Sequence, residues 1–474
     1  LASPLSPMLS SVGAAIAAVW SPREADGSAV YKIATSAEGI YRIERDWLAA
    51  QGLSAAQINA IDLDQVRLFN KGDEVAIHIE DQALAGELNA GDFIEFYAPA
   101  IDAAYAKYSA ENIFWLTLSG GAGLPKRMAA DDAAPVSGSA AADFADVTHH
   151  ELDLIYLINA PGSDSFERWF YLPFVSGAEI SGPPVTFTLT VPDPVSNGSI
   201  TFSLFGRTAT EHVVEAVING VSKTFYWSDI AHYEASLSDV PLNDGTNTIS
   251  LQCLSADGND SIAVDFFQVS YQRDYVADNN RLKFAPDAGS RYQIDGFSSN
   301  SIIGYDISDA SDVMRLTDAV ISGPDGEGNY SIDAQPATLG DRYLVVTTDT
   351  INSPDRLVED SPSTLANSQN GADYIIITHS DIGWDESGDQ LTWLTDLVAH
   401  RQAQGLRVFV ADIEDIFDEF SYGIESPAAI KDFLTHAYAN WQPPAPTYVL
   451  LVGDATYDPK DNWNMGDTTA YLPT

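Results

Sequence analysis

The sequence predicts a multidomain fold in which β-rich N-terminal modules, including an antiparallel β-sandwich, precede a partial α/β unit of β-α-β-α-β order. Three observations predict it. From His149 to Tyr275, turn signals recur about every eight to twelve residues with short runs between them, the spacing of antiparallel strands. Over the last hundred residues, continuous apolar runs alternate with stretches of helical spacing, the pattern of a parallel sheet. The 474 residues also amount to about three domains at roughly 100–200 residues each.

Residues 1–29 are rich in Ser, Ala and Pro and read as a tail or linker. Tyr31–Ala34 and Gly39–Ile43 are strand-like, Arg45–Gln51 is helical, and Asn70-Lys71-Gly72-Asp73 is a hairpin turn before Glu74–Ile79. With Phe93–Tyr97 and Asn112–Leu118 they make a small β-rich module over 30–128. Residues 129–148, dominated by Ala, Asp, Ser and Gly, read as a linker. The sandwich spans 149–275, with strands expected at Val185–Val191, Ser199–Phe205, Val213–Ile218, Thr224–Trp227, Asn247–Leu254 and Ile262–Tyr271. Asn197-Gly198 and Asn219-Gly220 supply turns because Asn and Gly tolerate positive φ. A β-rich connecting module over 276–350 and a linker over 351–370 lead to the α/β unit, 371–474.

In that unit Asp373–Thr378 is a continuous apolar strand. Ser387 and Gln390 predict a capping box opening a helix that carries Leu391, Leu394 and Val398 and closes near Gly405. Arg407–Ile413 is the second strand. Ser426 with Pro427 at the first helical position starts a second helix, which Pro443-Pro444 stops. Thr447–Asp454 is the third strand, and right-handed crossovers then require an open, mainly parallel sheet that looks unfinished.

Composition bounds the function. With 45% hydrophobic and 11% aromatic residues the chain is globular rather than a disordered polyelectrolyte. Lys and Arg number 23 against 68 Asp and Glu, a net charge of −45 that opposes nucleic-acid or anionic-lipid binding. Acidity runs through every module and suits a secreted or cell-surface protein in a salty or calcium-bearing medium. One Cys allows no internal disulfide, and Cys253 falls on the apolar face of its strand, where burial is the simpler reading than nucleophile. No apolar window is long enough to span a bilayer; the best, Val12–Trp20, is short and lacks a basic flank. Because the chain begins at Leu1, a processed or excised piece is expected.

Chemistry in an open parallel sheet sits beyond the carboxyl ends of its strands, here Thr378–Asp381, Asp412–Asp415 and Gly453-Asp454. The unit contains no phosphate-cradling glycine loop and no GxSxG elbow. His379 and Asp381 could form an acid/base pair, though ordinary loop polars are the simpler reading. His149-His150-Glu151 lies on a strand, where successive side chains point apart, and Asp325–Asn329 is an acidic turn with Tyr330 where a calcium loop requires Gly. The sharpest metal candidates are Asp412, Glu414, Asp415, Asp418 and Glu419, in a stretch with no Lys or Arg between Val408 and Ile430. A solvated acidic face is the simpler account; calcium held by some of these oxygens is the alternative.

Four segments in order carry a resemblance: Ala372–His379, His400–Val408, Ile413–Phe420 and Tyr448–Asp454. Together they resemble the opening of a gingipain-type bacterial cysteine peptidase domain. Looser matches at Gly39–Ile43, Ile94–Ala98, Asp265–Arg273 and Tyr305–Asp309 resemble the leader modules of large members of that family, including the type IX secretion sortase. The resemblance implies a caspase-like unit in which a His activates a Cys thiolate against the carbonyl of a polypeptide substrate, with no cofactor required. It places both catalytic residues after the strand matching Thr447–Asp454, and no Cys or His follows His436. No catalytic residue is therefore carried over, and this chain by itself is expected to be inactive, lacking the C-terminal half of the peptidase domain. The alternative is a non-catalytic adhesion, carbohydrate-binding or secretion-assembly role, with Tyr226, Trp227 and Tyr233 as aromatics of the sandwich, or a secretion sortase homologue.

Overall fold

The computed structural model describes residues 29–473 apart from 83–84, 119–122, 137, 161, 163–167, 178–182, 256–258, 288 and 466–470. The expected tail up to residue 28, with its Val12–Trp20 run, lies outside the described residues. In the N-terminal module, β1 (Val30–Thr35) pairs antiparallel with β2 (Asn112–Thr117) on one side and with β3 (Arg356–Glu359) on the other. Arg67–Asn70 and Asp73–Val75 extend the sheet beyond β2 as a hairpin, its turn held by Lys71 at φ +48° and Gly72 at φ +90°. A three-stranded sheet built on Gly39–Glu44 and Phe93–Ala98 packs against it, burying Ile33, Tyr41, Leu68, Phe96 and Phe114.

β3 corrects the expectation that 351–370 is a linker. Its register, Tyr31 opposite Glu359 and Ala34 opposite Arg356, spans about two thirds of the chain, and Leu357 enters the N-terminal core. Nothing local marks it, because the partner supplying its hydrogen bonds is distant in sequence.

Two antiparallel sheets form the sandwich. One contains Val185–Val191, Gly245–Cys253, Glu211–Ile218 and Val221–Ser228; the other is centred on Ser261–Asp274 and Gly198–Gly206. Alternating inward residues such as Phe187, Phe202, Val214, Leu251 and Phe267 fill the space between them. Residues 129–148 are also not simply a linker. Ala129–Asp132 pairs in parallel with Met314–Thr317, and Asp143–Glu151 pairs along Ser261–Asp274, so the sandwich sheet begins before residue 149. Ala133 and Phe144, buried beside Tyr292 and Tyr343, tie this segment to the connecting module. The protein is thus multidomain and strand-rich, with sheets in its first three quarters that are antiparallel apart from the Ala129–Asp132 and Met314–Thr317 pair.

The C-terminal unit changes to parallel pairing. β4 (Tyr374–Thr378) lies between β5 (Val408–Asp412) and β6 (Tyr448–Val452), all parallel. Helix α1 (Thr392–Ala403) joins β4 to β5, and α2 (Ile413–Phe420) with α3 (Pro427–Asn440) joins β5 to β6. Because β4 is covered on both faces, its apolar run is continuous: Tyr374 and Ile376 pack under Leu394 and Val398, Ile375 and Ile377 under Ile416, Ile430 and Phe433. β6 is one of the two edge strands among the described residues, and Val449 and Leu451 remain half-exposed beside an apolar groove of about 710 Å3 along α3.

Two details depart from the expected helices. The first begins at Thr392, not Ser387, because Asp385 accepts the backbone N–H groups of Ser387 and Asp389 in a tight turn. α2, absent from the expectation, buries Ile413, Ile416, Phe417 and Phe420 at helical spacing. The cap expected at Ser426 is present, its hydroxyl accepting from Ala428 N at 3.2 Å. Replacing this cap, Ser426→Ala, should cost about 1 kcal/mol of stability, whereas Ser387→Ala should stay within about 0.5 kcal/mol. Urea unfolding of the two variants checks this, and equal losses would refute the observed helix starts.

Candidate functional site

The order β5-β4-β6 places a topological switch beside β4, so the carboxyl ends of these strands form the candidate site. His379 directly follows β4 and caps the one-turn helix Ser380–Gly383; its Nδ1 accepts from Asp381 N at 3.0 Å. The Asp381 carboxylate stands 3.7 Å from the same nitrogen, beyond hydrogen-bond distance, so the two do not form an acid/base dyad. Tyr471 packs edge-on against the imidazole, with ring centres 5.4 Å apart. Its neighbour Leu472 is buried in the α2/α3 core and donates its backbone N–H to Asp454 O, closing the loop beyond β6 onto this edge.

A cleft of about 760 Å3 opens between this edge and the segment Ser361-Pro362, with Asp381, Trp384, Asp385, Asp412 and Asp415 in its wall. Asp412 caps α2 by accepting from Glu414 N at 3.1 Å. Burial raises its carboxyl above the ordinary range. Burial, reinforced by Asp412 and Glu419, pushes Asp415 further, to about 7. A carboxyl in that range exchanges its proton near neutrality, a property that clusters at functional sites.

The five acidic residues considered for calcium do not converge. Only Asp412 and Asp415 face the cleft. Both Asp418 oxygens contact Lys32 Nζ from β1, at 2.9 and 3.0 Å, and Glu414 approaches the same ammonium at 3.7 Å. Burial works against both charges of this pair; Asp418 and Glu414 outweigh it and hold Lys32 above the usual lysine range. Glu419 turns to the incoming chain, accepting from Leu365 N and Ala366 N at 2.8 Å and from the Ser363 hydroxyl. Among the described residues no group of three or more His, Cys, Asp or Glu side chains is disposed to hold a metal ion. α2 explains the dispersal: its turns send successive carboxylates to the N-terminal sheet, the cleft and the 363–366 segment.

Residues elsewhere that suggested chemistry have structural roles. Cys253 is fully buried in the sandwich core, and burial beside Asp260 pushes its thiol up to about 12, far from a reactive thiolate. His436 is buried in α3 with Nε2 3.0 Å from Ala366 O. His149 meets Glu151 at 2.9 Å while His150 meets Thr148, so that pair diverges. Asp325 accepts the N–H groups of Glu327 and Asn329, an Asx-type turn. One constellation escaped sequence reasoning: His212 Nδ1 lies 2.5 Å from Asp260 Oδ1, and Ser255 donates to Asp260 Oδ2. These residues are buried inside the sandwich, and Trp227 stacks on His212 at 4.6 Å. Ser255 gives its proton to the carboxylate rather than to the imidazole, so the group is a core polar network and not a nucleophile with its base.

Residues 367–474 match the model of Peptidase family C25, which bears out the gingipain-type resemblance of the last hundred residues. No curated protein sequence matches the chain. Among solved structures, dimeric latent PorU from Porphyromonas gingivalis is similar in fold, with a TM-score of 0.64 at 18% identity. The match covers 94% of this chain and 44% of that one, so the present chain spans less than half of PorU's length. A CBM36 domain of a xylanase from the hindgut metagenome of Trinervitermes trinervoides matches 26% of this chain and 96% of its own, at 17% identity and a TM-score of 0.19. CBM35 from Cellvibrio japonicus Abf62 matches 26% and 92%, at 17% identity and a TM-score of 0.20. Scores that low support no argument.

The raised Asp415 carboxyl has a definite consequence for stability. Unfolded, this group titrates near about 3.9; folded, it titrates near about 7. Between those values the folded state keeps a proton that the unfolded chain releases, so this group's contribution to stability falls as pH rises and is fully lost above the folded value. Asp415→Asn should reduce the loss in urea midpoint between about pH 5 and pH 8 relative to the parent chain. Equal losses in both proteins would refute the assignment.

Proposed function

We propose that this chain carries the leader modules and the opening part of the peptidase sheet of a secreted or cell-surface cysteine peptidase related to the gingipains and PorU, or of a secretion sortase homologue on the type IX route. The α/β unit is the first part of a caspase-like domain in this reading. The observation that carries it is the family match over 367–474, which falls on the sheet that is parallel throughout among the described residues. The fold-level likeness to PorU over 94% of the chain supports the same reading for the preceding modules.

The division of labour follows from the geometry. β4, β5 and β6 provide a rigid floor, and Val449, Leu451 and the free edge of β6 leave apolar surface against which the sheet can extend. In this reading the His and Cys stand on strand-end loops beyond β6. The Cys thiolate attacks the carbonyl carbon of a polypeptide, the His protonates the leaving amine, and backbone amides stabilise the oxyanion. Residues 371–474 contribute the scaffold and one acidic wall, and none of them acts as nucleophile. The chemistry requires no metal.

A thiol-directed peptidase probe applied to the complete gene product tests the assignment. Labelling should map to a cysteine beyond residue 474, survive Cys253→Ala and disappear when that second thiol is replaced. Labelling confined to Cys253, or no second thiol capable of labelling, would remove the peptidase reading.

A further inference from the structure

The junction between the N-terminal module and the α/β unit is built like the interior of one domain. β3, the last strand of the N-terminal sheet, ends at Glu359, and Leu365 is already inside the α/β core. Ser363, Leu365 and Ala366 are gripped by Glu419, so only residues 360–362 bridge the two packed bodies. Across the seam, Lys32 and Asp418 have side chains only 15% and 10% exposed. Trp115 donates its indole N–H to Tyr422 O at 2.8 Å, and Ile424 is buried with Val30, Ala34, Ile113 and Trp115. The fit leaves no slack at Gly423: a Cβ there would approach Ile113 at 3.0 Å and Trp115 at 3.3 Å, and its φ of +85° disfavours any other residue.

From this seam we infer that the N-terminal β module is a permanent structural partner of the α/β unit and not a leader that departs on activation. Separation would strand Lys32 on an apolar sheet, leave Asp418 without its cation and expose Trp115 and Ile424 together. Losing one partner of a buried ion pair costs far more than losing a surface pair. β3 adds a covalent reason. A cut after Glu359 leaves β3 with the N-terminal module, and a cut before Arg356 leaves an edge of β1 without its partner. The consequence for regulation rests on the peptidase reading above: latency in such an enzyme would have to arise without removing residues 30–359. The docking itself follows from the geometry of the seam and does not depend on that reading; Lys460 with Asp153 and Trp463 with Leu154 O add contacts to the sandwich, so the Lys32 variant is the arm that isolates the seam.

The full chain, with a site-specific protease sequence inserted between Ser361 and Pro362, tests the inference. After complete cleavage both fragments should co-elute in gel filtration, at low salt and in about 1 M NaCl, because a buried pair is poorly screened. Separation of the cleaved fragments under native conditions would overturn it. In the cut protein Lys32→Asp should speed fragment dissociation by about 100-fold or more. Lys32→Met combined with Asp418→Leu should restore co-elution. An unchanged dissociation rate in Lys32→Asp, with the uncut variant folded by circular dichroism, would overturn the role of this seam. Co-elution is read without peptidase activity, so failure of the functional reading leaves the outcome intact.

Discussion

Positive charge is the scarce component of this protein, and its placement organises the rest. With 23 Lys and Arg against 68 Asp and Glu, most carboxylates cannot have a cation, and several available cations sit where modules meet. Lys32 joins the N-terminal sheet to α2. Arg281 donates to Glu38 O, and Lys283 pairs with the Glu38 carboxylate, linking the connecting module to the first. Arg42 meets Glu95, a buried carboxylate that also takes the Tyr305 hydroxyl from the connecting module. Lys460 reaches Asp153 and carries the loop beyond β6 to the sandwich. Exposed pairs of this kind contribute about 0–1 kcal/mol. The buried ones matter through the cost of breaking them, which turns module boundaries into fixed joints.

The same imbalance explains why the acidic edge of the α/β sheet is easily misread. Asp412, Glu414, Asp415, Asp418 and Glu419 form one acidic run in sequence. Folded into α2 they separate by function: a helix cap, a cleft wall, a partner for Lys32 and an anchor for the chain entering the unit. At Asp415 burial, with Asp412 and Glu419 close by, outweighs the more distant Lys32 and the carboxyl retains its proton to a higher pH.

Legibility in the sequence tracked the range of the interactions. The three parallel strands, the Ser426 cap and the Asn219-Gly220 turn were readable because each is set by neighbours within a few residues. β3, Ala129–Asp132 and the part of Asp143–Glu151 before residue 149 look like linker in the sequence because they lack apolar runs and are defined by distant partners. α2 was missed for another reason. Its apolar stripe of Ile413, Ile416, Phe417 and Phe420 was present, but acidic residues between them suggested open surface. Of the candidate site, the strand-end positions were legible. The cleft, and the loss of convergence among the acids, depended on how α2 is rotated against its neighbours.

β3 also dictates the order in which this protein can be completed. Trp47 donates its indole N–H to Pro354 O across 307 residues, and β1 gains its second neighbour only when Arg356–Glu359 arrive. Until then one side of β1 is an open edge. Closing so distant a contact is slow, and an unpaired edge recruits other strands. The first sheet is therefore complete only once about three quarters of the chain is present, and the strand that completes it leads directly into the α/β unit.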